Sequence, residues 1–174
     1  MTKPIVASAV QIAYIVLRIL IVVNLLGGVA ILALLVVMPN REWIMSSFDL
    51  SPSPEAERLV MGLRAIAMLG LVTVPLNHVV LKRLLAIVKT VREGDPFVAA
   101  NASRLQTIAW VMLVVNVISV VIGAIADNIS TPAHPLHLDA GFSINGWLAV
   151  LLTFVLAHVF TEGSLMRKNV ERTV

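Results

Sequence analysis

No cysteine occurs among the 174 residues, which excludes disulfides, thiolate metal sites, iron–sulfur clusters and cysteine nucleophiles together. Charge is scarce too: Asp, Glu, Lys and Arg make up 13% of the chain, where soluble domains carry roughly 25%. There is no HExxH, no glycine-rich phosphate loop, no nucleophile with a base and an orienting group, and no pair of carboxylates inside an apolar segment. These absences argue against an enzyme. Polar stretches long enough for a separate catalytic domain are missing as well.

What is present is apolar: 59% of residues are hydrophobic and the mean hydropathy is +0.95. Lipid is therefore the expected solvent. Four apolar segments, roughly 10–38, 59–83, 104–126 and 142–161, each approach the ~20 residues that cross a bilayer core. None shows the period-two alternation of barrel strands, and helices satisfy every backbone amide internally. The expectation is an all-α integral membrane four-helix bundle forming a single domain over 1–174. It has a cytoplasmic loop 82–104, external loops 39–58 and 127–145, and a cytoplasmic tail 164–174. The first apolar run is too long for a signal-peptide core and has no cleavage site after it, so it reads as an uncleaved span.

Local signals refine this outline. Gln11, Tyr14 and Arg18 form one stripe at spacings of three and four, from which Arg18 can snorkel. Pro75 is expected to kink the second helix. In EGDPF, Gly94 reads as a helix C-terminal cap, Asp95 as the next N-cap and Pro96 as the first helical position.

Basic residues set the orientation. Lys3, Arg18, Lys82, Arg83, Lys89, Arg92, Arg104, Arg167, Lys168 and Arg172 lie on one side, while the outer loops hold Arg41 and Arg58. The positive-inside rule then puts both the N- and C-termini in the cytoplasm.

Ionisable residues in or near the spans carry the functional expectations. Arg18, His78, His158 and Glu162 fall at similar depth as a structural polar cluster; Arg18 with Glu162 is the expected ion pair, and separate snorkelling is the alternative. His78 and His158 are also the minimum for haem ligation between two spans, but their neighbours form no haem motif, and no cofactor is expected. His134, His137 and Asp139 in HPLHLD are metal-binding residue types at a spacing that matches no established site, so an ordinary polar loop is the default. Arg64 is expected to pair with Asp127 at the outer ends, with Glu57 as a rival. Beyond the second span, Lys82, Arg83, Lys89 and Arg92 suit anionic lipid headgroups or a protein partner. Asp95, Asn101, Arg104, Arg167 and Lys168 complete that face.

GDPF leading through Asn101 and Arg104-Leu105, together with the ending FVLAHVFTEGSLMRKNVERTV, resembles the bacterial family catalogued as domain of unknown function 2975. The matching positions of the ending are Val159-Phe160, Glu162-Gly163 and Thr173-Val174. The likeness spans the whole chain in length and span number, and its specific motifs cover the GDPF turn and the last twenty or so residues. It implies a bacterial inner-membrane protein with no assigned reaction and no catalytic residue to carry over. It also implies genes that often lie beside a small helix-turn-helix regulator.

Three functions are therefore expected in order. The first is a non-enzymatic membrane regulator or interaction protein acting through its basic cytoplasmic face, without binding nucleic acid directly. The second is a small transporter or channel subunit, with Arg18, Asn24, Arg64, Asn116 and His158 lining a path in a homo-oligomer. The third is a haem-binding electron carrier. In the first, the tail from Ser164 forms a short helix beside the GDPF turn, where Asn101 and Arg104 contact it.

Overall fold

The computed structural model describes residues 3–37, 53–130 and 140–173, with side chains placed for 8–36, 53–130 and 140–166. The chain is an all-α four-helix bundle: α1 (Lys3–Val37), α2 (Pro54–Arg92), α3 (Ala99–Ile129) and α4 (Ile144–Thr173). The four helices contain 35, 39, 31 and 30 residues, about 52, 58, 46 and 45 Å at a rise of 1.5 Å per residue. Each therefore exceeds a hydrocarbon core of ~30 Å. Ser8–Val36, Pro54–Arg92, Ala99–Ile129 and Ile144–Met166 are all long and apolar enough to cross a membrane, as expected of a multi-pass membrane protein.

Local chemistry sets several helix ends. Ser53 caps α2, its Oγ accepting from the Ala56 amide at 3.1 Å, with Pro54 at the first position and Glu55 and Glu57 in the first turn. These carboxylates complement the positive end of the helix dipole. Ser143 does the same for α4 through the Gly146 amide at 3.2 Å. α2 continues through Pro75. α4 runs unbroken to Thr173, so the tail from Ser164 continues α4 as helix.

Packing follows chain order: α1 on α2, α2 on α3, and α3 on α4, with no comparable contact between α1 and α4 among the described residues. Helices gain no hydrophobic free energy by associating in lipid, so backbones must come close for dispersion to hold them. Glycine permits this at every seam. Gly28 is buried against Val74, and one turn away Asn24 Nδ2 donates to the Val74 carbonyl at 3.0 Å. Gly62 faces Ile129 between α2 and α3, and Gly146 faces Asn116 between α3 and α4. Trp110 and Phe154 add an edge-to-face pair at 5.3 Å.

The main core lies toward the basic end. Leu105 and Ile108 of α3 and Ala157 of α4 are buried there against Val80, Leu84 and Ile87 of α2, with Met112 and Phe160 closing the cluster. α1 is the least buried span: Leu26 is 63% exposed and Val29 64%, as lipid-facing side chains should be.

Glycine substitution tests this packing. A Cβ on Gly123 would meet the Gly141 Cα at 2.6 Å, a backbone atom that cannot step aside, so Gly123→Ala is expected to cost about 1–3 kcal/mol by overpacking. Gly27 has nothing within 4 Å of its would-be Cβ, and Gly27→Ala should be neutral or stabilising by up to ~1 kcal/mol through helix propensity. Thermal unfolding of the two variants in detergent checks the contrast; equal melting temperatures would refute it.

Candidate functional site

The basic end of the bundle is organised by the turn between α2 and α3. α2 stops at Gly94, whose φ of +84° is the left-handed conformation open to glycine. The last carbonyls are capped by Glu93 N on Lys89 O (3.0 Å), Gly94 N on Val91 O (3.1 Å) and Asp95 N on Thr90 O (3.0 Å). The expected helix restart at Asp95-Pro96 does not occur. α3 begins at Ala99, with Val98 as N-cap and no side-chain cap, and Asp95 to Val98 form a second turn.

The reason for that displacement is Asn101, which is completely buried. Its Nδ2 donates to Thr90 Oγ1 at 2.7 Å and to the Pro96 carbonyl at 2.8 Å. Its Oδ1 accepts from Arg104 Nη1 at 2.7 Å. The same Arg104 nitrogen lies 3.5 Å from the Ala86 carbonyl, and Thr90 Oγ1 donates to Ile87 O at 2.7 Å. One amide thus joins the last turns of α2, the Pro96 turn and the first turn of α3. A buried amide left unpaired costs its full desolvation, so the network favours this geometry over the local preference of Asp-Pro to start a helix.

Phe97 leaves the turn in the other direction, toward α4. Its ring lies 5.2 Å from that of Phe160, and a Cβ on Gly163 would sit 3.3 Å from its Cδ1. Ser164, one residue on, is buried and donates to Thr161 O at 2.8 Å. The GDPF turn and the end of α4 therefore do meet, through Phe97, Phe160 and Gly163. Asn101 and Arg104, expected to contact the tail, bind α2 and the turn, and the tail's side chains from Arg167 on lie outside the described residues.

Around this unit Lys82, Arg83, Lys89 and Arg92 are exposed, Arg104 is half-buried, and so is Asp95. Arg92 reaches back to α1, its guanidinium 4.9 Å from the centre of the Tyr14 ring. Arg18 lies over the same ring at 5.0 Å. Arg18 is thus engaged by Tyr14, and Glu162 is exposed on α4, a helix that packs on α3 rather than on α1.

The remaining candidates are dispersed. His78 is half-buried on α2 with its Nδ1 buried and without a hydrogen-bond partner. His158 is exposed, one residue and about 100° round α4 from the buried Ala157. Arg64 is half-buried in α2 and Asp127 is exposed near the end of α3. The amides of Asn24 and Asn116 are committed to the carbonyls of Val74 and Met112. His134, His137 and Asp139, and the side chains of Arg167 and Lys168, lie outside the described residues. Sequence reasoning missed Thr90, the Phe97–Phe160 pair and the convergence of Arg92 on Tyr14. Only the last left a signal, an aromatic on the same stripe as Arg18.

A family model described as a protein of unknown function (DUF2975) matches residues 43–174. The match takes in α2, α3 and α4, and with them the Asn101 network and the Phe97 contact, while α1 lies outside it. No curated protein and no solved structure matches the chain.

Removing the Asn101 amide by Asn101→Ala should lower stability by about 2–4 kcal/mol, since it breaks two neutral hydrogen bonds and one to a guanidinium. Thr90→Val should cost about 1 kcal/mol. Thermal unfolding in detergent, with limited proteolysis between Glu93 and Val98, checks both; a resistant turn in Asn101→Ala would count against the network.

Proposed function

The chain belongs to the DUF2975 family, and on that premise we propose that it is a non-enzymatic regulator or interaction protein of the bacterial inner membrane. Both termini are cytoplasmic in this reading, and the basic end of the bundle docks a soluble partner. The observation that carries the proposal is the buried Asn101 network, which fixes the exposed basic end of α2 to α3. Phe97 fixes the same turn to α4.

A docking surface gains affinity when it is ordered before its partner arrives. From Lys82 to Arg92, α2 presents about 15 Å of helix bearing exposed Lys82, Arg83 and Lys89. Such a charged rod steers a partner with an acidic surface. The small helix-turn-helix regulator suggested by the family resemblance is the class to look for first.

Two measurements test the proposal. A fluorescent protein fused after Val174 should fold and fluoresce, while alkaline phosphatase at the same point should stay inactive; the opposite pattern would invert the topology. In the second, protein tagged at the C-terminus is recovered from native membranes as the unaltered chain and as Lys82→Glu/Arg83→Glu. A stoichiometric soluble partner should be retained by the first and lost by the second at equal melting temperature. Recovery of the same partner with both would exclude this surface.

A further inference from the structure

Two cations from different helices meet on one aromatic ring where the α1–α2 seam reaches the basic end. Long side chains on a helix lean toward its N-terminus, so Arg18 bends away from the centre of α1 onto Tyr14, one turn before it. α2 runs antiparallel, so the same rule turns Arg92 back toward the membrane and onto the same ring. The guanidiniums lie 5.0 and 4.9 Å from the ring centre. Both arginines are exposed. Glu93, exposed, follows Arg92 by one residue and about 100° of helix, and Asp95 is half-buried three residues on.

We propose that Tyr14, Arg18 and Arg92 form a binding site for the phosphate of an anionic phospholipid headgroup. The proposal rests on reading α1 and α2 as bilayer spans with this end at the membrane–water boundary. Three features carry it. The first is depth: from Arg18 to Val37, α1 rises about 29 Å, close to the ~30 Å of a hydrocarbon core, so the Arg18 guanidinium emerges at the level of lipid phosphates.

The second is donor geometry. Stacking on the ring occupies the face of a guanidinium and leaves its in-plane N–H fork free for a phosphate. The two guanidinium carbons are at most about 10 Å apart, within one screening length, so the cations repel each other and an anion in reach of both relieves that repulsion. Gln11, exposed on the same stripe as Tyr14, brings an amide donor to the rim.

The third feature separates a lipid from free phosphate, which shares the same anionic oxygens. Directly on the membrane side of the site, Ile15, Ile19 and Val22 are exposed by 50, 56 and 55%, an apolar track on which the acyl chains of the bound headgroup can lie. A soluble phosphate has no use for that track.

The test uses the full-length chain in detergent, titrated with phosphatidylglycerol or phosphatidylcholine, with retained lipid read by native mass spectrometry. Phosphatidylglycerol should be preferred by roughly tenfold or more, as two basic residues at a surface provide, and Arg18→Gln/Arg92→Gln should bring the two lipids to near equality. Arg92→Gln alone, exposed at the end of α2, should lower the preference roughly fivefold and serves if the double variant does not fold. Tyr14→Phe keeps the ring and should retain the preference.

An unchanged preference in either arginine variant would overturn the site. So would displacement of phosphatidylglycerol by millimolar inorganic phosphate, which would assign the cations to a soluble anion. Lys82→Gln/Arg83→Gln should leave the preference within about twofold; a loss as large as that of the arginine pair would make lipid binding a property of the whole basic surface. Partner docking is read from the soluble partner, so the two proposals can fail separately.

Discussion

Helices in lipid gain nothing by hiding apolar surface from a solvent that is itself apolar, and the architecture depends on how that missing force is replaced. Close backbone approach replaces most of it. Gly28 against Val74, Gly62 against Ile129 and Gly146 against Asn116 remove the side chains that would hold the axes apart, so many weak dispersion contacts accumulate along each seam. The large apolar side chains of α1 are left outward, Val36 at 73% exposure, a surface that water would penalise and acyl chains do not.

Among the described residues hydrogen bonds between elements are few, and their positions matter more than their number. Asn24 holds the Val74 carbonyl beside Pro75, where a helix lacking one amide hydrogen is least able to hold itself straight. Asn101 occupies the turn at the basic end, where its partner Arg104 is half-buried and keeps part of its hydration. At the opposite end the return segment is held by the Gly141 amide, 3.4 Å from Ser119 Oγ, and by its fit against Gly123. At the basic end α2, α3 and α4 share one core.

The four helices were legible because hydropathy sustained over a bilayer thickness leaves no other backbone solution, and Gly94 because a left-handed stop selects glycine. That GDPF and the end of α4 share one side of the membrane also followed from topology. Their contact through Phe97 and Phe160 did not, since hydropathy carries no information about side-chain direction. Asp95-Pro96 reads locally as a helix start; the buried Asn101 overrides it by taking the Pro96 carbonyl, a tertiary effect invisible at that dipeptide. The expected Arg18–Glu162 pair rested on depth alone. Depth does not give lateral order, and α1 and α4 stand at opposite ends of the packing sequence.

α1 is the helix outside the family match, and it touches the rest of the bundle along α2. The last turn of α2 is consequently gripped from two sides. Thr90 binds Asn101 on the α3 side, and Arg92, two residues and about 200° further round, lies over Tyr14 on the α1 side. The α1–α2 seam and the Asn101 turn thus meet on the last turn of α2, and exposed Lys82, Arg83 and Lys89 precede that turn on the same helix.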